Sequence, residues 1–380
     1  MNQTHALFPL ILLLTAAVTG LLNGCLLAGI FGKRRFWIGG LAGAVAALGA
    51  VWEYLWYAQA YTDWGFQMLA VTWIACAWFT ANLILLMPLF LFFLVSRMGK
   101  GLHLIRAGTV LFVAAAMIIG IYGNAVGGRD LQEEDITLEI RNLPASFDGF
   151  RIAFLADTHI GPYYTYADLD EDLFRASQDH SDMVALGGDL IDDIRFMPDT
   201  AQVLKARNGL FPYGICYVWG NHEYYKGKQG IDAELEKTGV KILTNDSVRL
   251  KRGNDSLYIA GVDFPWGKKE DMPALREKMT AAAFSGIPDG SCIVLLAHHS
   301  DFIKEGLEDG AALVLTGHTH GTQLGLFGRP LLTPFVYTRG LFRGADGGYG
   351  YVSRGTGQWF PFRFGCSREM TVFTLRKAAE

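Results

Sequence analysis

Arg151-Ile-Ala-Phe-Leu-Ala156 is a short apolar run that ends directly in Asp157-Thr-His159. The same pattern, an apolar run followed by metal-type side chains, returns four times downstream. Asp182-Met-Val-Ala-Leu186 ends in Gly187-Gly-Asp189, and Ile215-Cys-Tyr-Val-Trp219 ends in Gly220-Asn-His-Glu223. Cys292-Ile-Val-Leu-Leu-Ala297 leads to His298-His299, and Ala312-Leu-Val-Leu315 leads to Thr316-Gly-His-Thr-His320. Helix-like stretches near 167–178, 198–207, 230–238, 272–283 and 301–308 separate several of these runs. Continuous apolar strands are expected where helices or a second sheet cover both faces. Ligands gather at the carboxyl ends of strands in such layered sheets.

The residue types belong together chemically. Asp, His and Asn supply oxygen and imidazole ligands for one or two divalent ions. In Asp157-Thr-His159 both side chains can reach one ion from the strand-end turn, and in His318-Thr-His320 the outer residues point the same way if the backbone is extended. Gly187, Gly188, Gly220, Gly317 and Gly321 let the backbone turn sharply and approach the ions closely. Two ions roughly 3.5–4 Å apart would activate a water and clamp a phosphoryl group for in-line displacement. Gly-Asp alone is nearly worthless as a motif. Five such clusters in this order are hard to obtain by chance.

Upstream the texture is different. The chain has 380 residues, 51% of them hydrophobic, enough for two domains with separate cores. Residues 1–128 contain six basic residues (Lys33, Arg34, Arg35, Arg97, Lys100, Arg106) and two acids, Glu53 and Asp63. The remainder holds 27 basic and 35 acidic residues, a net of −8. That acidic balance argues against a non-specific nucleic-acid binder, which needs a basic face. The five cysteines show no C-x-x-C spacing, so they mark neither a zinc knuckle nor a disulfide scaffold.

Four apolar runs, near 7–31, 36–58, 66–96 and 102–126, each meet the roughly 20-residue requirement for crossing a bilayer. The third carries Pro88 and is longer than needed, so it would tilt, kink or extend beyond the bilayer. The expectation is an all-α transmembrane bundle of four helices over 1–128, embedded in membrane lipids. An exit segment and first strand follow over 129–149, where Ile136-Thr-Leu-Glu-Ile140 alternates like a half-buried strand, and a soluble domain fills 150–380. Lys33-Arg34-Arg35 and the Arg97–Arg106 turn are basic, whereas the junction 54–64 has no Lys or Arg and is rich in Trp and Tyr. By the positive-inside rule the basic turns are cytoplasmic and the soluble domain is extracytoplasmic, on the periplasmic side.

Taken in order, the blocks Asp-x-His, Gly-Asp, Gly-Asn-His, His and Gly-His-x-His resemble the calcineurin-like metallophosphoesterase superfamily, across nearly the whole soluble domain. Asp148-Gly-Phe-Arg-Ile152 before the first block and the ending Ser353-Arg-Gly-Thr-Gly…Glu369-Met-Thr-Val-Phe-Thr-Leu375 are similar to its bacterial membrane-associated branch containing YkuE and YaeI. The resemblance implies an α/β domain built as a β-sandwich flanked by helices, with a dinuclear site at one edge. It implies that Asp157, His159 and His320 hold a first metal and Asn221, His298 and His318 a second, with Asp189 bridging. His222 would assist the leaving group or steady the phosphate charge, with Asp189 and His222 the catalytic pair; of the adjacent His298 and His299, the family order favours His298 as the ligand. The ions would be Mn, Fe or Zn. Two departures are Thr322 in Gly-His-Thr-His-Gly-Thr-Gln, where Gly is usual, and Arg368-Glu369 in place of a Pro-Glu pair.

The implied reaction is metal-dependent hydrolysis of a phosphate ester or phosphoanhydride. Membrane tethering favours a lipid-linked substrate over a soluble phosphorylated small molecule. The competing readings are a broad phosphodiesterase or phosphatase acting on soluble esters, and a non-catalytic receptor or scaffold that retains the fold. Arg329, Arg339, Arg343, Arg354 and Arg363, interleaved with Phe327, Tyr337, Phe342 and Trp359, are candidates for phosphate recognition or for simple packing.

Overall fold

A computed structural model describes residues 3–32, 65–99, 101–331 and 333–379, together with Leu41, Gly43, Val45 and Gly49. The chain divides into two compact units. One is Met1–Arg129 with Phe360–Phe364; the other is Asp130–Trp359 with Gly365–Glu380.

In the first unit, α1 (Gln3–Phe31), α2 (Gly65–Ser96) and α3 (Leu102–Tyr122) are long apolar helices, and α3 runs on into a π-helical turn, Gly123–Gly127. Leu14–Phe31, Cys76–Ser96 and Leu102–Gly127 are long and apolar enough to cross a membrane. Among the described residues there are three such spans, not four. The run predicted at 36–58 lies outside the described residues except at Leu41, Gly43, Val45 and Gly49, which are helical. The outward faces stay apolar: Leu111 is 71% exposed and Ile118 66%. A helix that is apolar all round suits lipid, not water. Contacts between helices use small and polar residues. Gly120 leaves no room for a Cβ against the Ala77 carbonyl, and the buried Asn23 side chain donates to the Asn82 carbonyl at 2.7 Å.

The second unit is built on two six-stranded sheets. The first runs β1 (Leu131–Ile140), β14 (Arg368–Lys377), β2 (Phe150–Leu155), β3 (Met183–Leu186), β4 (Ile215–Tyr217) and β5 (Lys241–Ile242). The second runs β12 (Gly340–Arg343), β13 (Tyr349–Val352), β9 (Leu313–Thr316), β8 (Ile293–Ala297), β7 (Asp255–Gly261) and β6 (Asp246–Arg252). Strands β2 to β5 are parallel to one another, as are β7, β8 and β9. The alternation Ile136–Ile140 belongs to a strand that already begins at Leu131.

Side-chain alternation along each strand builds the layers. Ile152 and Phe154 of β2 join Ile259, Val294 and Leu315 of the second sheet in one core. Ala153 and Leu155 point the other way, into a layer with Leu169 and Leu173 of α4 (Tyr166–Gln178), Leu204 of α5 (Met197–Asn208) and Leu235 of a further helix, Lys228–Leu235. Behind the second sheet, Met279 of a helix over Met272–Ala283 and Ile303 of another over Phe302–Glu308 pack on Leu295 and Val314. The result is a sandwich of two sheets with helices on both outer faces. Strands β2, β3, β4, β8 and β9 are almost wholly buried because both of their faces are covered, so these runs are apolar nearly throughout and can end in polar residues at one edge, whereas β1 and β6 keep exposed polar positions.

Candidate metal centre

The turns after β2 and β3 extend the pairing of those strands by hydrogen bonds alone. Asp157 N–H donates to Gly188 O at 3.0 Å and His159 N–H to Asp189 O at 2.9 Å. Asp157, His159, Asp189, His318 and His320 all have positive φ, between 48° and 72°. For non-glycine residues that conformation costs on the order of 1 kcal/mol or more each. The strain aims five side chains at a common volume.

Three overlapping sets of ligand atoms lie there, each set within 4.8 Å: Asp157, His159 and His320; His159, Asp189 and His222; Asp189, His298 and His318. His159 Nε2 and His320 Nε2 are 3.0 Å apart, and His318 Nδ1 is 3.2 Å from His298 Nε2. Two imidazole nitrogens sharing one ion at about 2.1 Å would stand roughly 3.0–3.4 Å apart. Asp189 Oδ2 lies between the two pairs, 3.6 Å from His159 Nε2 and 3.2 Å from His298 Nε2.

Backbone donors hold the carboxylates in place. His318 N–H donates to Asp157 at 2.9 Å, and His222 N–H donates to Asp189 Oδ1 at 2.8 Å. His298 Nδ1 is 2.8 Å from the Gly187 carbonyl, a contact that needs the proton on Nδ1 and turns the Nε2 lone pair toward the cluster. Glu223 is fully buried and accepts from the N–H groups of Asp189, Leu190, Ile191 and Gly220. It is the third helical residue of α6 (Asn221–Lys226), the capping-box position, so the helix start and the turn after β3 are fastened by one carboxylate. Gly220 and Gly317 are needed for close approach: a Cβ on Gly220 would strike the Asp189 carboxylate, and one on Gly317 would come within 2.5 Å of Asp157 Oδ2.

The residues fit divalent cations. Asn221 Oδ1 is buried with no hydrogen-bond partner, an acceptor left for something absent from the chain itself. Asp157 and Asp189 are buried together, and among the described residues neither forms an ion pair with Lys or Arg. Burial pushes the Asp157 carboxyl above its usual range, against the neighbouring imidazoles. Burial would also raise Asp189, but His298 and His222 outweigh it and hold that carboxyl well below the usual range. At His222 burial disfavours the cation, yet Asp192 and Asp189 lift its pKa to about 9.

Each residue singled out in the sequence has its place. Asp157, His159, Asp189, His298, His318 and His320 come together, His222 joins them from the Asp189 side, and Asn221 lines a cavity shared with His318. His299 is outside the three sets; its Nδ1 accepts the Asp301 N–H at 3.2 Å. The extended reading of His318-Thr-His320 does not hold. Both histidines have left-handed backbone, so His318 faces His298 while His320 faces His159. The arginines also sort differently: Arg354 pairs with Glu369 at 2.5 Å, Arg343 stacks 5.6 Å over Tyr349, and Arg363 is buried with the helical unit. Glu369 of the unusual Arg-Glu pair also accepts from Tyr351 OH at 2.8 Å, a packing role. Sequence reading missed Asp192, which contacts both His159 and His222, and gave Glu223 no role. Asp192 stands three residues after Asp189, with nothing in the run to distinguish it from Asp193, which instead pairs with Arg195.

Residues 150–322 match the family model described as calcineurin-like phosphoesterase. The chain is similar to a transmembrane protein with metallophosphoesterase domain from Danio rerio, 28% identical over 324 residues, covering 78% of this chain and 71% of that one. It is 29% identical over 260 residues to the uncharacterized metallophosphoesterase YkuE of Bacillus subtilis, covering 65% and 86%. Against an uncharacterized metallophosphoesterase of Aquifex aeolicus the identity is 30% over 249 residues, covering 65% and 91%.

Proposed function

The chain belongs to the calcineurin-like phosphoesterases, metal-dependent phosphoric ester hydrolases, and on that premise we propose a membrane-anchored enzyme with a dinuclear centre that hydrolyses a lipid-linked phosphate ester or phosphoanhydride. The observation that carries the dinuclear reading is the position of Asp189 Oδ2, 3.6 Å from His159 Nε2 and 3.2 Å from His298 Nε2. One carboxylate oxygen is thus within reach of both sets. Asp157, His159 and His320 would hold one ion and Asn221, His298 and His318 the other, with Asp189 shared. Two divalent ions, manganese, iron or zinc, supply Lewis acidity and an acidified water at neutral pH.

The chain's own groups do the rest. Asp189 fixes the spacing of the two ligand sets, and Glu223 fixes Asp189 through its backbone. His222 is favoured in its protonated form, because Asp192 and Asp189 lift its pKa to about 9. It donates that proton or a hydrogen bond to the leaving-group oxygen, with Asp192 holding the ring in register.

Membrane anchoring is supported by the three apolar spans and by the transmembrane relative. The basic turns at 33–35 and 97–106 favour a catalytic unit on the extracytoplasmic side. Single cysteines placed in those turns, in a Cys25→Ala background, are expected to react with an impermeant maleimide only after the cell membrane is opened. Purified protein loaded with Mn²⁺ is expected to cleave an aryl phosphodiester or monoester, to prefer lipid phosphates over soluble esters, and to lose the activity in Asp189→Ala and His222→Ala. Full activity in both variants would contradict the assignment, and a preference for soluble esters would contradict the lipid reading.

A further inference from the structure

A cavity of 740 Å³ includes Asn221 and His318 in its lining, so it is continuous with the metal centre. Phe264, Trp266, Met272, Pro334, Phe335 and Val336 supply its apolar wall, and Lys269, Arg276, His299 and Asp301 are its further polar members. Phe264 and Phe335 each lie 5.7 Å from the His318 ring, while Trp266 is 44% exposed and Val336 79% exposed. The groove therefore runs from a metal-type histidine to open solvent along an apolar wall. Its guanidinium is already occupied, because Arg276 is 2.9 Å from Glu305 and 3.5 Å from Asp301. An apolar surface left uncovered beside a polar centre marks a binding site for apolar matter.

The wall suits an aliphatic chain better than a flat ring. Phe264 meets Trp266 at 54°, Tyr225 meets Trp266 at 61° and Phe335 meets His318 at 75°. These rings meet one another at steep angles, so no parallel pair of faces stands ready to sandwich a base. Met272 and Val336 add flexible and aliphatic surface, and thioether and branched side chains conform to chains of varying shape.

We propose that this groove binds an aliphatic chain attached to the phosphate at the metal centre, so that the substrate is an alkyl- or acyl-bearing phosphate, not a nucleotide or free sugar phosphate. The proposal rests on the phosphoesterase reading and adds the residues that select the substrate, Trp266, Phe335 and Val336 foremost.

The test is calorimetric binding of methyl-, hexyl- and phenylphosphonate to Mn²⁺-loaded full-length protein in lipid nanodiscs. Because each fully buried methylene is worth roughly a threefold to fourfold gain, hexylphosphonate should bind at least about tenfold tighter than methylphosphonate. Trp266→Ala and Val336→Asp should each cut that ratio by about fivefold, since one removes apolar wall and the other wets it. Partition of the hexyl chain into lipid is the same for all three proteins, so the difference reports the groove. A ratio unchanged in both variants, or phenylphosphonate binding as tightly as hexylphosphonate, overturns the proposal. Failure of methylphosphonate to bind in the presence of Mn²⁺ contradicts the phosphoesterase reading instead. In that event hexylphosphonate binding that is sensitive to Trp266→Ala still supports the groove, and its absence overturns it.

Discussion

Asp192 Oδ1 stands 2.5 Å from His222 Nδ1, and the same oxygen is 3.3 Å from His159 Nδ1. One carboxylate thus orients the imidazole beside the shared aspartate and lies against an imidazole of the first ligand set. It is itself held well below the usual carboxylate range, because the two histidines outweigh its burial.

Replacing Asp192 by Asn removes the charge that raises His222. A histidine acting as an acid is competent below its pKa, so activity is lost as pH rises through it. With His222 at about 9 in the parent protein, the basic limb of the kcat profile should move to lower pH in Asp192→Asn. Loss of such a carboxylate–histidine contact typically costs 10–100-fold in activity or metal affinity, and a drop of about that size is expected at pH 7.5. A pH–rate profile whose basic limb does not move would contradict the role.

Glu223→Ala should be a stability mutation first. It strips one acceptor from four buried N–H groups, each worth about 1–3 kcal/mol when left unsatisfied, so a loss of at least about 3 kcal/mol is expected. Glu223→Gln keeps one acceptor oxygen and should fall between. Thermal melts of the three proteins rank them directly.

Gly220→Ala should damage the site and the fold together. The new methyl would strike Asp189 Oδ1 and the Asp189 backbone nitrogen, so the turn after β3 must shift. The expected result is a loss of metal content and activity accompanied by a lowered Tm; a variant with parental Tm and parental metal content would contradict the close approach.

Asp172 gives a pH signature of stability. It is buried, accepts from Tyr164 OH at 2.8 Å, and is pushed up by burial from the ordinary aspartate value of 3.8 to about 6. The folded state therefore holds this proton more tightly than the unfolded chain. The resulting stabilisation is present in full below about pH 4 and is lost as pH rises through about 6, amounting to about 3 kcal/mol at 1.36 kcal/mol per pKa unit. Asp172→Asn should remove that slope, so that the difference in Tm between parent and variant grows in the variant's favour from pH 4 to pH 7.

The sandwich was legible because its strands are covered on both faces. Phe150–Leu155, Met183–Leu186 and Ile293–Ala297 contain no exposed polar position to blur the pattern, and each ends at a metal-type residue. The clustering of Asp157, Asp189, His298 and His320 was legible for the same reason, since parallel strands deliver their ends to one edge. What escaped was everything set by tertiary geometry. The left-handed backbone at His318 and His320 separates two side chains that an extended strand would align. Asp192 and Asp193 are chemically identical in sequence, and only the turn decides which one reaches the histidines. The groove draws Phe264, Met272 and Phe335 from distant segments, so no local motif announces it. Arg354, after His320, looked suited to phosphate, but its partner Glu369 lies on another strand.

The most direct measurement is anomalous diffraction at the manganese edge from crystals of the full-length protein grown with Mn²⁺, beside the same data from Asp189→Asn. Two peaks are expected in the parent, one among Asp157, His159 and His320 and one among Asn221, His298 and His318, with Asp189 touching both and at least one peak lost in the variant. A single peak in the parent, or two peaks that survive the loss of Asp189, would contradict the shared-aspartate centre.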